Sequence, residues 1–256
     1  MQEKGIIISL GCAALAAASV YGGIQLNRAI KLKKAKNTPF VLPEGFTYTA
    51  HTGCTNTKAN SLESIDAAVK YGADIVEFDL RFAEDGTPVL SHDEPVGGEV
   101  SLDEAFRKIS ENESLRVNVD VKCTTNLAEV ESLARKYGIF ERIFYTGIRD
   151  FDVEAVLKDS PAVPYFLNVD VKKKQDKAYL DSLVKKVKDC GAIGINFNKK
   201  SATKLLVDTF RENGLLVSIW TANSEKDIYR LLALSPDNIT TRQPDIIQKI
   251  LQNRND

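Results

Sequence analysis

The sequence lacks the markers of several common protein classes. Its four cysteines, Cys12, Cys54, Cys123 and Cys190, include no CxxC pair and no metal-ligand spacing, so a cysteine-based metal site is excluded. The formal net charge is −1 and no basic stretch contains interleaved aromatic residues, so we expect no nucleic-acid partner. Because Cys12 lies in an apolar N-terminal segment, three scattered cysteines remain, and this odd set is typical of reduced thiols in the cytosol.

Histidine is equally scarce, and both histidines stand where a strand-like apolar run ends. The 256 residues contain only His51, after the run 46–50, and His92, after the run 88–91. The segment 75–79 between them alternates apolar and acidic residues, which puts Glu77 and Asp79 on one face of a strand. Two imidazoles with an acid pair between them predict a metal-assisted acid–base site rather than two structural histidines.

The N-terminal part of the chain has a different composition from the rest. Residues 5–26 contain no charged side chain and would be about 33 Å long as a helix, which predicts a transmembrane helix or signal anchor. A cleaved signal peptide is the competing interpretation, but the segment is long and a basic cluster follows it. The positive-inside rule then places the following domain in the cytoplasm, with an extracellular or secreted domain as the alternative.

The predicted domain organisation follows from this break in composition. Residues 1–4 form a short N-terminus, residues 5–26 the membrane segment, residues 27–44 a basic linker, and residues 45–256 one folded domain. In this domain, strand-like runs alternate with helical 3.6-residue patterns. The predicted strands cover residues 48–52, 74–80, 115–121, 142–146, 163–169, 192–197, 215–220 and 237–241.

Eight strands, each separated from the next by a helical pattern, predict a (β/α)8 TIM barrel. A doubly wound open sheet is the alternative, but no glycine-rich phosphate fingerprint follows the first strand. A ninth strand over residues 87–92 has no helix before it, and the turn at residues 84–87 predicts a β-hairpin with the second strand. Pairing centred on this turn joins residues whose numbers sum to about 171, which puts His92 beside Asp79.

Barrel enzymes carry their active sites at the carboxyl ends of the strands. The polar residues found there are His51, Glu77, Asp79, His92, Asn118, Asp120, Lys122, Asn168 and Asn196, together with Trp220. Three carboxylates that converge on one mouth repel one another unless a cation lies among them, and all-oxygen ligands suit Mg²⁺ or Ca²⁺. The alternative is a salt-bridge network in which Lys122 neutralises the acids.

Seven segments, in this order, resemble motifs of the glycerophosphodiester phosphodiesterase family. They are AHTG (50–53), NSLES (60–64), GADIVEFD (72–79), EDGTPVLSHD (84–93), VDVK (119–122), WTAN (220–223) and DNITTRQPD (237–245). The resemblance covers residues 46–250. It implies a phospholipase-C-like phosphodiesterase with a TIM barrel, which hydrolyses glycerophosphodiesters with the help of a divalent metal.

The resemblance also implies a role for each site residue. His51 and His92 are implied as the catalytic acid–base pair, Glu77, Asp79 and Asp120 as metal ligands, and Lys122, Trp220, Asn168 and Asn196 as substrate- or phosphate-binding residues. In this family a substrate hydroxyl attacks the phosphorus and gives a cyclic phosphate, which water then opens. Imidazoles suit the two proton transfers because their pKa lies near neutrality.

Three positions depart from the family pattern. His-Arg-Gly reads His-Thr-Gly here, so Thr52 removes a phosphate-binding cation; Pro-Glu-Asn-Thr reads Lys-Ala-Asn-Ser at 58–61; and Asp120 is one methylene shorter than the usual glutamate. Only 22 residues separate His92 from Leu115, so the family's inserted subdomain is missing and a bulky lipid-like diester could enter. The alternative function is a catalytically weak relative that binds a phosphorylated head group or lipid at a membrane surface, and a phospholipase-like lipid cleaver is a third.

Overall fold

The computed structural model describes residues 21 and 24–253, and these fall into two compact units that divide between Pro39 and Phe40. In the first unit, residues 24–36 are helical, so a helix includes part of the segment predicted as a basic linker. Just after it, the Thr38 hydroxyl donates a hydrogen bond to the Lys34 carbonyl at 3.0 Å.

The expectation of a single-pass membrane protein, anchored by its N-terminal helix with the barrel in the cytoplasm, is corrected. Among the described residues, no helix combines the length and the apolar composition that a membrane crossing requires. The helical residues 24–36 illustrate the reason, because they carry the basic cluster of Arg28, Lys31, Lys33, Lys34 and Lys36. The predicted span itself, residues 5–26, lies outside the described residues except for Tyr21 and residues 24–26.

Strands and helices alternate along the second unit. Its strands are β1 (Thr47–Ala50), β2 (Ile75–Phe82), β3 (Pro88–Leu90), β4 (Arg116–Val121), β5 (Ile143–Thr146), β6 (Phe166–Asn168), β7 (Gly194–Asn198), β8 (Leu216–Trp220) and β9 (Asn238–Thr241). Its α-helices are α1 (Leu62–Lys70), α2 (Leu102–Ser110), α3 (Leu127–Lys136), α4 (Val153–Asp159), α5 (Lys177–Asp189), α6 (Lys204–Glu212), α7 (Glu225–Leu232) and α8 (Pro244–Gln252). A helix follows every strand except β2, after which the short strand β3 intervenes.

Eight strands form a parallel sheet in the order β5–β4–β2–β1–β9–β8–β7–β6. The first and last strands of the chain, β1 and β9, are neighbours, with Ala50 opposite Thr241. The two ends of this order meet between β5 and β6, where Tyr145 and Tyr165 form an isolated parallel bridge. The sheet is therefore a nearly closed barrel with helices in alternation, which confirms the predicted TIM barrel and excludes the doubly wound open sheet.

The outer face of the barrel carries most of the hydrophobic core. Alternate residues of each strand point to opposite faces of the sheet. In β2, Val76 and Phe78 are buried in the large apolar cluster that joins the strands to the helices. The alternate residues of β2, which begin with Ile75, point into the barrel. There Ile75, Phe144 and Phe166 form a small separate cluster. These three lie near the starts of their strands, so the apolar filling is at the amino end and the carboxyl end is left for polar groups.

Side-chain caps set the start of five helices, α1, α2, α5, α6 and α7. Each cap oxygen accepts a hydrogen bond from the backbone N–H three residues later, and the cap residues are Ser61, Ser101, Asp176, Thr203 and Ser224. A cap of this kind typically contributes about 1 kcal/mol. All five helices follow loops at the carboxyl ends of strands, so the caps also fix the loops that border the barrel mouth.

The hairpin strand β3 pairs with β2 in a register one residue away from the predicted one. Leu80 lies opposite Leu90, so the paired residue numbers sum to 170 rather than 171. The reason is the turn, in which Ala83 N–H bonds to the Thr87 carbonyl across three residues, with Gly86 at a φ of 85°. The Ser91 N–H consequently bonds to the Asp79 carbonyl at 3.0 Å, and Ser91 rather than His92 is the residue beside Asp79.

Gly194 of β7 lies where two barrel strands approach too closely for a side chain. A Cβ at this position would be 2.2 Å from the carbonyl oxygen of Leu216 in β8. We predict that Gly194→Ala lowers the free energy of unfolding by about 3 kcal/mol, because the two strands would have to move apart. Chemical denaturation of the full chain measures this loss.

The control is Gly214→Ala, at a glycine whose added Cβ would meet no heavy atom within 4 Å. Its φ of 72° makes alanine cost about 1 kcal/mol through backbone conformation alone. Equal losses of stability in the two variants would contradict the steric argument for Gly194.

Candidate active site

A cavity of about 610 Å³ opens at the carboxyl ends of the barrel strands. Its wall includes every residue predicted for the site: His51, Glu77, Asp79, His92, Asp120, Lys122, Asn168, Asn196 and Trp220. These nine residues lie in, or within two residues after, seven different strands. Barrel closure is therefore what brings them together from distant parts of the sequence.

Three carboxylates lie together in this cavity. Glu77, Asp79 and Asp120 each offer one oxygen, and these oxygens lie within 4.8 Å of one another. The pairing of β2 with β4 produces the cluster, because Asp79 stands opposite Asp120 and Glu77 points to the same face two residues earlier. Burial, together with the charges of Asp79 and Asp120, raises the pKa of Glu77 well above its usual value.

Hydrogen-bond donors and one ammonium group offset the charge of these acids. Lys122 Nζ lies 2.9 Å from Asp79 Oδ1 and 2.5 Å from Asp120 Oδ2. Burial works to lower the pKa of Lys122, but the charges of Asp120 and Asp79 outweigh it and raise the pKa overall. Glu77 instead accepts a hydrogen bond from the Thr52 backbone N–H at 2.8 Å. The salt-bridge network considered from the sequence thus exists, and it involves two of the three acids.

His51 directly follows β1 and its ring is half-buried. Its Nδ1 lies 3.0 Å from the Thr52 carbonyl and 3.7 Å from Glu77 Oε2. Burial lowers the pKa of His51 and the positive charge of Arg242 lowers it further, while the hydrogen bond to the Thr52 carbonyl and the nearby acids oppose this shift. The ring is then neutral at pH 7, and a proton on Nδ1 directed at the Thr52 carbonyl leaves Nε2 as a proton acceptor.

His92 stands at the rim of the cavity, on the hairpin. Its side chain is 68% exposed, and Nδ1 lies 2.9 Å from Asp93 Oδ1. The backbone is held by Arg81, whose Nε donates to the His92 carbonyl at 2.9 Å. The hairpin register therefore does not pair His92 with Asp79, but the extension of the hairpin still brings the imidazole to the cavity wall.

Amide groups form another part of the wall. Asn168 Oδ1 accepts hydrogen bonds from the Gly147 N–H at 3.1 Å and from Asn196 Nδ2 at 2.9 Å. Trp220 Nε1 is buried and has no hydrogen-bond partner among the residues described. A cavity-lining residue with an unpaired donor suits contact with a polar group of a ligand.

Sequence reasoning missed several polar residues that line the cavity, among them Asn60, Thr146 and Arg242. Asn60 Nδ2 donates to Asp79 Oδ2 at 2.9 Å, and the Thr146 hydroxyl donates to Asp120 Oδ1 at 3.0 Å. Arg242 lies beside His51, and its Nε donates to the Thr52 carbonyl at 3.1 Å. Thr146 ends β5 and Arg242 follows β9, so a survey that included the carboxyl ends of these two strands would have found both.

The acidic cluster fits a hard divalent cation. Calcium binds oxygen ligands at about 2.3–2.6 Å, so two ligands of one ion can lie about 5 Å apart. The oxygens of Glu77, Asp79 and Asp120 lie within that limit, and carboxylates are the ligands that such ions prefer. These three residues could therefore hold one divalent ion.

Comparison with known protein families matches the part of the chain that contains these residues. The chain matches the model of the "Glycerophosphoryl diester phosphodiesterase family" over residues 51–130 and 108–246. A glycerophosphodiester phosphodiesterase of Caldanaerobacter subterraneus subsp. tengcongensis is 23% identical over 238 residues, which are 79% of this chain and 96% of that protein. A glycerophosphodiester phosphodiesterase of Bacillus subtilis is 22% identical over 256 residues, covering 81% of this chain and 87% of the relative.

Solved structures share the fold. A glycerophosphodiester phosphodiesterase from Agrobacterium tumefaciens has a TM-score of 0.65 at 18% identity and covers 80% of this chain and 99% of its own. A phosphodiesterase from Oleispira antarctica, in complex with the product sn-glycerol-3-phosphate, has a TM-score of 0.64 at 18% identity and covers 84% of this chain and 98% of its own. These structures support the fold, while the family match covers most of the sequence, and the chain belongs to the glycerophosphoryl diester phosphodiesterase family.

Proposed function

We propose that this protein is a metal-dependent phosphodiesterase, which hydrolyses glycerophosphodiesters or related lipid-derived phosphodiesters to an alcohol and glycerol phosphate. His51 and His92 carry out the acid–base catalysis. That the chain is a phosphoric diester hydrolase follows from its family and its curated relatives. The observation that carries the finer proposal is the cavity that both histidines of the sequence share with three clustered carboxylates.

His51 suits the role of general base. The attacking hydroxyl must lose a proton, and an acceptor is effective only if it is neutral before the reaction. Burial lowers the pKa of His51, and the Thr52 carbonyl 3.0 Å from Nδ1 favours the tautomer with a free Nε2. His51 therefore takes the proton of a substrate hydroxyl as this hydroxyl attacks the phosphorus.

His92 suits the delivery of a proton to the leaving oxygen. When the phosphorus–oxygen bond breaks, the departing alcohol needs a proton, and a solvent-exposed imidazole can exchange protons with water between turnovers. The ring of His92 lies at the rim, where a released alcohol can leave the cavity. The first step then gives a cyclic phosphate, and in the second step water opens it with the two proton transfers reversed.

Glu77, Asp79 and Asp120 are the residues that would hold the divalent cation, either Mg²⁺ or Ca²⁺. When bound, such an ion offsets the charge on the non-bridging oxygens of the phosphodiester. Lys122, in contact with Asp79 and Asp120, would face the same phosphate. The asparagine wall and Trp220 lie on β6, β7 and β8, away from the acids of β2 and β4, and would bind the glycerol or head-group portion. The glycerol-3-phosphate in the Oleispira antarctica neighbour supports this choice of substrate.

We predict that His51→Ala and His92→Ala each lower kcat for glycerophosphocholine by roughly 100- to 10,000-fold, because each removes one proton-transfer group. Release of glycerol phosphate by the full-length chain is the quantity to measure. Lys200→Ala, at an exposed lysine just after β7, is the matched control and retains full turnover.

Unchanged turnover in both histidine variants would end the proposed acid–base assignment. A wild-type chain that binds sn-glycerol 3-phosphate but cleaves no glycerophosphodiester would instead support the second candidate, a head-group-binding relative without strong catalysis. The specific observation behind that candidate is Thr52, which carries no charge where the family has arginine.

We predict that a chelator abolishes hydrolysis and that added Mg²⁺ or Ca²⁺ raises the midpoint of thermal unfolding, because the ion binds the native state only. Asp120→Asn removes one ligand and so reduces both effects of the ion, the metal-dependent hydrolysis and the rise in the midpoint of thermal unfolding. Asp181→Asn changes a surface pair with Lys177 on α5 and leaves both effects intact. Full turnover in the presence of chelator would refute the metal requirement while leaving the histidine assignment open to its own test.

A further inference from the structure

Arg242 is fixed at the cavity by the last barrel strand. It follows Thr241 of β9, whose carbonyl accepts a hydrogen bond from the His51 N–H at 2.8 Å. The backbone N–H of Arg242 donates to Asn223 Oδ1 at 3.0 Å, and its carbonyl accepts from the Thr55 N–H at 2.8 Å. Three hydrogen bonds thus hold this short segment of backbone next to His51.

The guanidinium of Arg242 is anchored at one end only. Its Nε donates to the Thr52 carbonyl at 3.1 Å, and the residue lines the cavity. Within residues 24–253, Arg242 forms no ion pair with any aspartate or glutamate. The two terminal nitrogens of the guanidinium are therefore free to bind a ligand.

The other cations of the cavity are already paired with acids. Lys122 contacts Asp79 and Asp120, and Arg149 Nη1 lies 3.5 Å from Asp170 Oδ2. Of the lysines and arginines in the cavity wall, Arg242 alone combines a fixed position with an unpaired positive charge. An anionic ligand would therefore meet Arg242 without first breaking an ion pair.

The side chain of Thr52 cannot provide this charge. It is buried, and its hydroxyl oxygen accepts a hydrogen bond from the Asn60 N–H at 2.5 Å. The position after the first histidine is thus used to hold the Asn60 loop, and its carbonyl is used to hold Arg242. Arg242, which follows β9, therefore brings a cation next to position 52 at the cavity wall.

We propose that Arg242 is a phosphate-binding residue, whose two terminal nitrogens bind the non-bridging oxygens of the phosphodiester and supply the cation that Thr52 does not. A guanidinium is planar and presents parallel N–H groups, which match two oxygens of one phosphate. The anchor on the Thr52 carbonyl sets the direction of this fork. The inference rests on the proposed phosphodiesterase function, and it assigns the residue that recognises the phosphate.

The test uses inorganic phosphate as the probe and the full chain with Mg²⁺. We expect Arg242→Gln to weaken phosphate binding, measured by calorimetry and as competitive inhibition of hydrolysis, by about tenfold or more, because a charge-assisted bidentate contact is lost. Arg242→Lys keeps the charge without the fork, so it recovers part of the affinity. Arg135→Gln, at an arginine of α3 that pairs with Glu131 outside the cavity wall, is the control and changes phosphate affinity less than about twofold.

The outcomes separate this inference from the proposed function. If wild type hydrolyses diesters and Arg242→Gln binds phosphate as wild type does, the role of Arg242 is wrong and the phosphodiesterase function stands. If wild type cleaves no diester but binds phosphate in an Arg242-dependent way, the residue assignment stands and the function is wrong. Absence of phosphate binding by wild type, or an equal loss in Arg135→Gln, would also overturn the role of Arg242.

Discussion

The site is governed by the repulsion among three carboxylates that the pairing of β2 with β4 forces together. Burial disfavours a negative charge on Glu77, the charges of Asp79 and Asp120 disfavour it further, and the pKa of Glu77 is raised as a result. Each acid has at least one donor: the Thr52 N–H bonds to Glu77, the Asn60 amide bonds to Asp79, and the Lys122 ammonium contacts both Asp79 and Asp120. Two of these donors belong to the loop that follows His51. The loop after β1 therefore connects the hydrogen bonding of Glu77 and Asp79 with the position of His51.

The barrel separates the apolar groups that stabilise it from the polar groups of the candidate site. The large apolar cluster lies between strands and helices, while the small cluster of Ile75, Phe144 and Phe166 fills the start of the barrel interior. Polar side chains share this end of the interior: Thr49 lies opposite Ile75, its hydroxyl donates a hydrogen bond to Asn238 Oδ1, and Asn238 Nδ2 donates one to the Ser218 hydroxyl. Because the helices supply most of the burial, the interior positions near the mouth can carry polar side chains without loss of the core.

The strands, their arrangement in a barrel and the grouping of the nine predicted site residues could be predicted from the sequence. The apolar pattern of each strand is local, and a barrel brings the carboxyl ends of its strands to one mouth. The hairpin register could not, since a three-residue turn with Gly86 shifts every pair by one. Arg242 was also missed, although β9 must lie beside β1 in any barrel. Only its place after β9 pointed to Arg242, because it is an exposed arginine whose proposed role depends on its contact with Thr52, 190 positions earlier.

The isolated bridge between β5 and β6 makes Asn168 more than a wall residue. Its backbone N–H bonds to the Ile148 carbonyl at 2.7 Å, and its side-chain oxygen accepts from the Gly147 N–H, so two hydrogen bonds cross the weakest seam of the sheet at the mouth. The same oxygen also orients Asn196. The proposed substrate contact and the closure of the barrel therefore depend on the same side chain. Kinetic loss on replacing Asn168 reports a mixture of altered recognition and a loosened cylinder, and only a parallel hydrogen-exchange profile of the seam can divide the two.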